Sequence, residues 1–168
     1  SYLSYHSTAS NPSPYMVILD VEFNEEGDLW IANPYCINKN NPIHVRSLEN
    51  EWKHYGSSET NTKISQSPGS IAIDSWNRVW VSSFQAEEAN FGIYPNGGIA
   101  MLDYSGDPTN PDEFSWKQIQ NSGSVWSLGM GMDNRIYFLT PTGLNYYDIK
   151  DGDNPVVREN TLSYFPNI

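Results

Sequence analysis

An all-β protein is predicted by two observations: one hairpin-like unit occurs three times without a gap, and no stretch sustains a helical hydrophobic period. The three copies are residues 21–33 (VEFNEEGDLWIAN), 71–83 (IAIDSWNRVWVSS) and 128–140 (LGMGMDNRIYFLT). Their aromatic positions, Trp30, Trp80 and Tyr137, lie 50 and then 57 residues apart. Each follows by nine residues an aliphatic side chain, Val21, Ile71 or Leu128. The 11 Pro and 12 Gly punctuate the chain too often for long helices.

Each copy reads as an apolar strand, a tight polar turn and a second strand dense in aliphatic and aromatic residues. Gly27, Asn77 and Asn134 share one turn position, and Gly and Asn take positive φ at the least cost. Upstream, Asn24 and Asp74 are placed to fold a side-chain oxygen back onto the turn, where the third copy has Gly131. A third strand is read at 42–45, 98–103 and 143–148. A fourth is read at 51–55, at 114–119 and around Val156 and Val157. Four antiparallel strands per unit make the blade of a β-propeller. Inner strands of such a blade are covered on both faces, so Leu29, Trp30, Ile31 and Ala32 run apolar without alternation, as do Val79, Trp80 and Val81. Trp30, Trp80 and Tyr137 are therefore expected at equivalent buried positions.

The organisation expected is an outer strand of a preceding blade and a linker at 1–16, blade one at 17–56, a linker and blade two at 57–120, blade three at 121–160, and a lead into the next blade at 161–168. Three blades do not close a ring. The expectation is thus about three four-stranded antiparallel blades of a larger propeller, whose remaining blades are the first partners.

Composition narrows the function. With 168 residues, 38% of them hydrophobic and 14% aromatic, the chain has apolar area for a sizeable core. Its 20 acidic and 9 basic residues give a net charge of -11, and the basic ones are scattered singly. Nucleic acid and anionic membrane surfaces are therefore disfavoured. No apolar run approaches the roughly 18 residues of a membrane span, so direct membrane insertion is not expected. The lone Cys36 leaves neither an intrachain disulfide nor a cysteine-based zinc site and reads as a small buried residue.

Catalytic and metal patterns are sparse. His6, His44 and His54 share no metal spacing and fall on separate expected strands. The pairs Glu25–Glu26 and Glu87–Glu88 read as solvated loop charge, because neighbours in an extended segment point apart. Asp151 and Asp153 lack the further oxygen ligands of a calcium loop. Arg78 and Arg135 recur at one repeat position, which suits a structural or solvated role. No catalytic residue, metal or cofactor is assigned.

The run EGDLWIAN at 26–33, followed by a Gly-apolar-Asp strand as at 98–103, resembles the two-component-regulator propeller repeat. The likeness extends from about residue 17 to 160, with Asn replacing the turn Gly in the second and third copies. Similar repeats build extracytoplasmic sensor domains of hybrid histidine kinases and propellers of exported or type IX secretion-associated bacterial proteins. The chain is also loosely similar to streptogramin lyase and sialidase repeats, although a sialidase would need a converging arginine cluster. The resemblance implies a ligand- or partner-binding module, a sensor input or surface recognition domain. Its expected location is extracytoplasmic: periplasmic, outer-membrane associated or secreted. Binding is preferred over catalysis. The alternatives are part of a lyase-like or hydrolase-like propeller enzyme with catalytic residues on other blades, and a purely structural propeller.

In a repeat fold, non-repeating insertions map to loops and often to binding faces. Between second and third strands, the third unit has only Pro141 and Thr142. The first has 34–42, with Tyr35, Asn38 and Lys39. The second has 84–97, with Phe84, Gln85, Glu87, Glu88, Asn90, Phe91, Tyr94 and Asn96. These connections share one rim with the inter-blade links at about 57–68 and 121–123, and that rim is the candidate interaction face. Rings and amides together suit a glycan, a peptide or a partner domain, while Glu87 and Glu88 disfavour anions.

Overall fold

The computed structural model describes residues 3, 16–34, 36, 41–56, 58–61, 63–64, 67–85, 96–120 and 123–149, and only the backbone of 85, 96 and 120. These residues form three antiparallel sheets. The first is β1 (Asp20–Phe23), β2 (Leu29–Ala32), β3 (Ile43–Arg46) and β4 (Trp52–Tyr55). The second is β5 (Pro68–Ile73), β6 (Val79–Gln85), β7 (Asn96–Ser105) and β8 (Glu113–Gln120). The third is β9 (Ser127–Gly131), β10 (Arg135–Thr140) and β11 (Gly143–Asp148). In each, strands pair in chain order, as the hairpin reading requires. The fourth strand expected near Val156, and the segments 1–15 and 161–168, lie outside the described residues. Among the described residues no helix is long and apolar enough to cross a membrane.

The repeat sets the hairpins. In the first two, the amide at position 24 or 74 donates to the carbonyl of 28 or 78, and Gly27 or Asn77 donates back to 24 or 74. The residue that closes each turn has positive φ: 90° at Gly27, 62° at Asn77 and 58° at Asn134. This is the three-residue hairpin loop with a left-handed final residue, whose twist suits the flanking strands.

Register then decides what each strand presents. Trp30 lies opposite Glu22 and Val45, Trp80 opposite Ala72 and Met101, and Tyr137 opposite Gly129 and Tyr146, so the three are structurally equivalent. Trp30 joins Ala32, Ile43, Val45 and Tyr55 in a core closed by Ile71, Val79, Val81, Ala100 and Leu102 of the second sheet. Trp80 joins Ala72, Ile99 and Met101 in a second core closed by Leu128, Ile136, Phe138 and Tyr147 of the third. Trp30 and Trp80 thus each point at the sheet that follows. The equal burial expected of Tyr137 is not found: it is partly exposed, because it faces away from the second sheet and meets Tyr146 and Asp133 of its own. Val21 shows the converse at the other side of the stack, being 50% exposed where Ile71 and Leu128, at the same repeat position, are 1% and 8%.

Polar side chains lock the turns differently. Asp74 is buried, and its Oδ1 accepts from the amides of Trp76 and Arg78 at 3.0 Å each. Its Oδ2 accepts from Arg78 Nε at 2.7 Å and from Trp80 Nε1 at 2.8 Å. In the first hairpin Asn24 takes the place of Asp74 and Asp28 that of Arg78. Asn24 Oδ1 accepts from the Asp28 amide at 2.7 Å, and Asn24 Nδ2 donates to Asp28 Oδ2 at 2.8 Å. An amide nitrogen has no lone pair for an indole, so Trp30 Nε1 is buried without a partner among the described residues.

Sheet one also carries a cross-strand histidine pair. His44 and His54 lie directly opposite, and their Nδ1 atoms approach to 2.7 Å. One ring must donate and the other accept. His44 Nε2 finds no partner among the described residues, and a buried unpaired acceptor costs less than a buried unpaired N–H. His44 is therefore the Nδ1 donor. Burial, and then His54, push the His44 imidazole down to about 4. Burial likewise lowers His54, against a smaller opposing effect of Glu59.

Two outcomes follow from these networks. Asp74→Asn leaves Arg78 buried without its carboxylate and lowers unfolding stability in urea by about 3–5 kcal/mol. The histidines give a pH dependence: a folded pKa held below the unfolded value means stability fully present above pH 6.5 and lost as pH falls toward about 4. Relief of net negative charge on acidification acts in the opposite sense, so the comparison is with His44→Phe. Melting temperatures from pH 7 to 4.5 fall more steeply in the native chain than in that variant, and equal slopes would refute the assignment.

Candidate functional site

Residues of the loop-bearing rim divide sharply. Phe84, Gln85 and Asn96 sit on the strands that bound the β6–β7 connection, while Tyr35, Asn38, Lys39, Glu87, Glu88, Asn90, Phe91 and Tyr94 lie outside the described residues. Phe84 is a brace. Its amide donates to the Ser67 carbonyl at 2.9 Å, and its ring reaches within 3.0 Å of where a Cβ on Gly69 would stand. The missing side chain at Gly69 leaves room for that ring beside β5. The link from the first sheet to the second is also tied down: Thr60 Oγ1 donates to the Gly56 carbonyl at 2.6 Å and accepts from the Ile64 amide at 3.2 Å. Thr60 and Ile64 are both buried, and Ile64 belongs to the first core. Those two residues of the link are packing, while Ser58 and Asn61 are exposed.

The opposite rim holds a depression that the sequence reading passed over. The three hairpin turns converge there around an open hollow of about 360 Å³. Equivalent positions line it: Phe23, Ile73 and Met130; then Asn24, Asp74 and Gly131; then Glu25, Ser75 and Met132, with Asn134 at the edge. Gly131 breaks the Asn/Asp pattern for a steric reason. A Cβ there would stand 2.6 Å from the Tyr137 ring and 2.5 Å from Asp133, which accepts the Tyr137 hydroxyl at 2.9 Å. Asp133 thus takes over in the third turn the anchoring that Asn24 and Asp74 provide in the others.

Behind the lining, hydrogen bonds tie neighbouring turns together. Tyr104, on β7, accepts from Asn24 Nδ2 at 3.1 Å and from Asn77 Nδ2 at 3.2 Å, joining two turns through one hydroxyl. Burial, with Asp28 and Glu26 nearby, pushes this phenol up to about 12, so it stays neutral. Asn77 Nδ2 also reaches Glu26 at 2.8 Å, and Ser75 Oγ meets Asn134 at 3.4 Å across the next pair of turns. Deeper along the innermost strands, Asp20 Oδ2 accepts from Ser70 Oγ at 2.6 Å and the Ile71 amide at 2.8 Å, stapling β1 to β5.

The rim of the hollow is less constrained. Turn-tip positions carry Glu25 and Glu26 in the first hairpin, Ser75 and Trp76 in the second, and Met132 and Asp133 in the third. Met132 is fully exposed, and Trp76 is 41% exposed with the Arg78 guanidinium 5.2 Å from its ring centre. Among the described residues no group of three or more His, Cys, Asp or Glu gathers to hold a metal ion. Chemically the hollow offers apolar contact and carboxylates.

No family model and no curated protein matches the chain. Among solved structures it is similar to PorZ, an essential bacterial surface component of the type IX secretion system of Porphyromonas gingivalis, with a TM-score of 0.61 and 11% identity. That match covers 89% of this chain and 20% of PorZ, so the chain spans about a fifth of PorZ's length. Virginiamycin B lyase from Staphylococcus aureus matches with a TM-score of 0.44 and 15% identity, over 80% of this chain and 42% of the lyase. Three stacked antiparallel sheets in chain order, together with the likeness to PorZ, make this chain a run of β-propeller blades.

Proposed function

We propose that the chain is a ligand- or partner-binding propeller module of an exported bacterial protein, working by recognition and not by catalysis. The observation that carries this reading is the chemistry of the turn tips. The first hairpin folds with two glutamates at its tip, so the turn itself does not demand the exposed Trp76 and Met132 of the other two. Large apolar side chains held in water beside a hollow are what a binding surface supplies. PorZ is a surface component of a secretion system, and the reading carries that extracytoplasmic setting to this chain.

The loop-bearing rim belongs to the same proposal. The β6–β7 connection at 86–95 has ten residues where the third sheet manages with Pro141 and Thr142, an ordering cost that the repeat does not require. Phe91 and Tyr94 would supply flat surfaces there, with Gln85, Asn90 and Asn96 as hydrogen-bonding groups.

Paired variants test the module and locate its face. The full chain is applied to a peptide array and a glycan array, alongside Trp76→Ser/Met132→Ser and Phe91→Ala/Tyr94→Ala. Specific binders are expected, lost in one pair while its melting temperature stays within about 2 °C of the native chain, as suits exposed positions. Absence of binders on both arrays, or binding untouched by both pairs, overturns the reading.

A further inference from the structure

We infer that the hollow among the three turns receives a protein segment presenting a Lys or Arg side chain flanked by apolar residues. The inference rests on the recognition role proposed above and names the class of ligand. Its first ground is charge. Glu25 lines the hollow and forms no ion pair among the described residues, and Glu26 stands on the same turn tip. The cations at this end are already held: Arg78 is buried against Asp74 at 2.7 Å, and Arg135 lies 3.0 Å from Asp133. The whole chain has a net charge of -11. A cation is drawn to such a site, and phosphate or carboxylate groups are repelled.

The second ground is the state of the polar groups. A neutral sugar would need several free amides or hydroxyls with fixed directions, but of the lining groups Asn24 and Asp74 are engaged and Ser75 Oγ meets Asn134 at 3.4 Å. Asn24 bonds to Asp28 and Tyr104, and both Asp74 oxygens to their own turn and to Trp80. Beside the Glu25 carboxylate the lining is largely apolar: Met132 stands fully exposed, and Met130 and Ile73 form part of the wall. Long cationic side chains bury their methylene stems along such surfaces while the charged head stays beside a carboxylate. About 360 Å³ of open space accommodates one or two side chains of an extended segment and no folded domain. Trp76 and Met132 would flank it.

Fluorescence anisotropy with labelled decapeptides tests the inference on the full chain. Each peptide carries one central Lys, Arg, Gln or Glu between leucines. The Lys and Arg peptides are expected to bind more tightly than the Gln peptide and the Glu peptide least, with the difference shrinking in 0.5 M salt. Glu25→Gln should weaken the Lys and Arg peptides about fivefold, the scale of a partly exposed ion pair, and leave the Gln peptide unchanged. Trp76→Ser/Met132→Ser should weaken all of them. Equal affinity for all four peptides, still lost in the Trp76/Met132 variant, would overturn the charge assignment and leave the recognition role standing. Binding that survives in that variant would overturn the placement of the segment in this hollow. If no peptide binds while array ligands do, the occupant is not a protein segment.

Discussion

A single layer of side chains between neighbouring sheets is the constraint on which the rest of the molecule depends. Flat sheets pack about 10 Å apart, and the gap must be filled from both sides. Trp30 fills it against Ile71 and Val81, Trp80 against Leu128 and Phe138, each from the same place in its hairpin. Tyr55 stacks on Trp30 with ring centres 5.9 Å apart and sends its hydroxyl to the Pro108 carbonyl at 2.8 Å, so the outer strand is fastened to the neighbouring sheet as well. Once the gap is fixed, the innermost strands come close enough for Asp20 to reach Ser70, and the hairpin turns are carried to a common rim.

The rim combines a fixed floor with free tips. Side chains that hold each turn point inward and are shared between blades, as Tyr104 shares Asn24 and Asn77. Glu25 and Met132, between them, carry no such duty. A surface of this kind can change its chemistry at the tips without disturbing the fold, which is how Glu25, Ser75 and Met132 come to occupy one repeat position.

Much of this was legible in the sequence. The gapless repeat gave the hairpins, and Gly27, Asn77 and Asn134 marked positive φ because few other residues tolerate it. The partial exposure of Tyr137 is not legible, since a repeat position tells which way a side chain points and not what it meets there. The pairing of His44 with His54 depends on register across a hairpin, and no spacing rule along the chain displays it. The link at 57–68 read as loop, yet Thr60 and Ile64 sink into the core because a turn stapled by Glu59 and Thr60 folds the chain back. The turn-tip hollow was missed for a different reason: recurring positions were read as structural, and the signal was a recurring position with non-recurring chemistry. Of the loop residues proposed for binding, most lie outside the described residues, and the ring of Phe84 lies close to Gly69 of β5.

The direction in which the tryptophans point gives the stack a handed order, like nested cups. One side of every sheet is a knob, built around Trp30, Trp80 or Tyr137. The other is a seat, built around Val21 and Ile31, Ile71 and Val81, or Leu128 and Phe138. Knob meets seat at both internal boundaries, and two knobs facing each other would crowd aromatic rings into a gap sized for one. A further sheet stacked in the same sense would present its seat to Tyr137 or its knob to Val21.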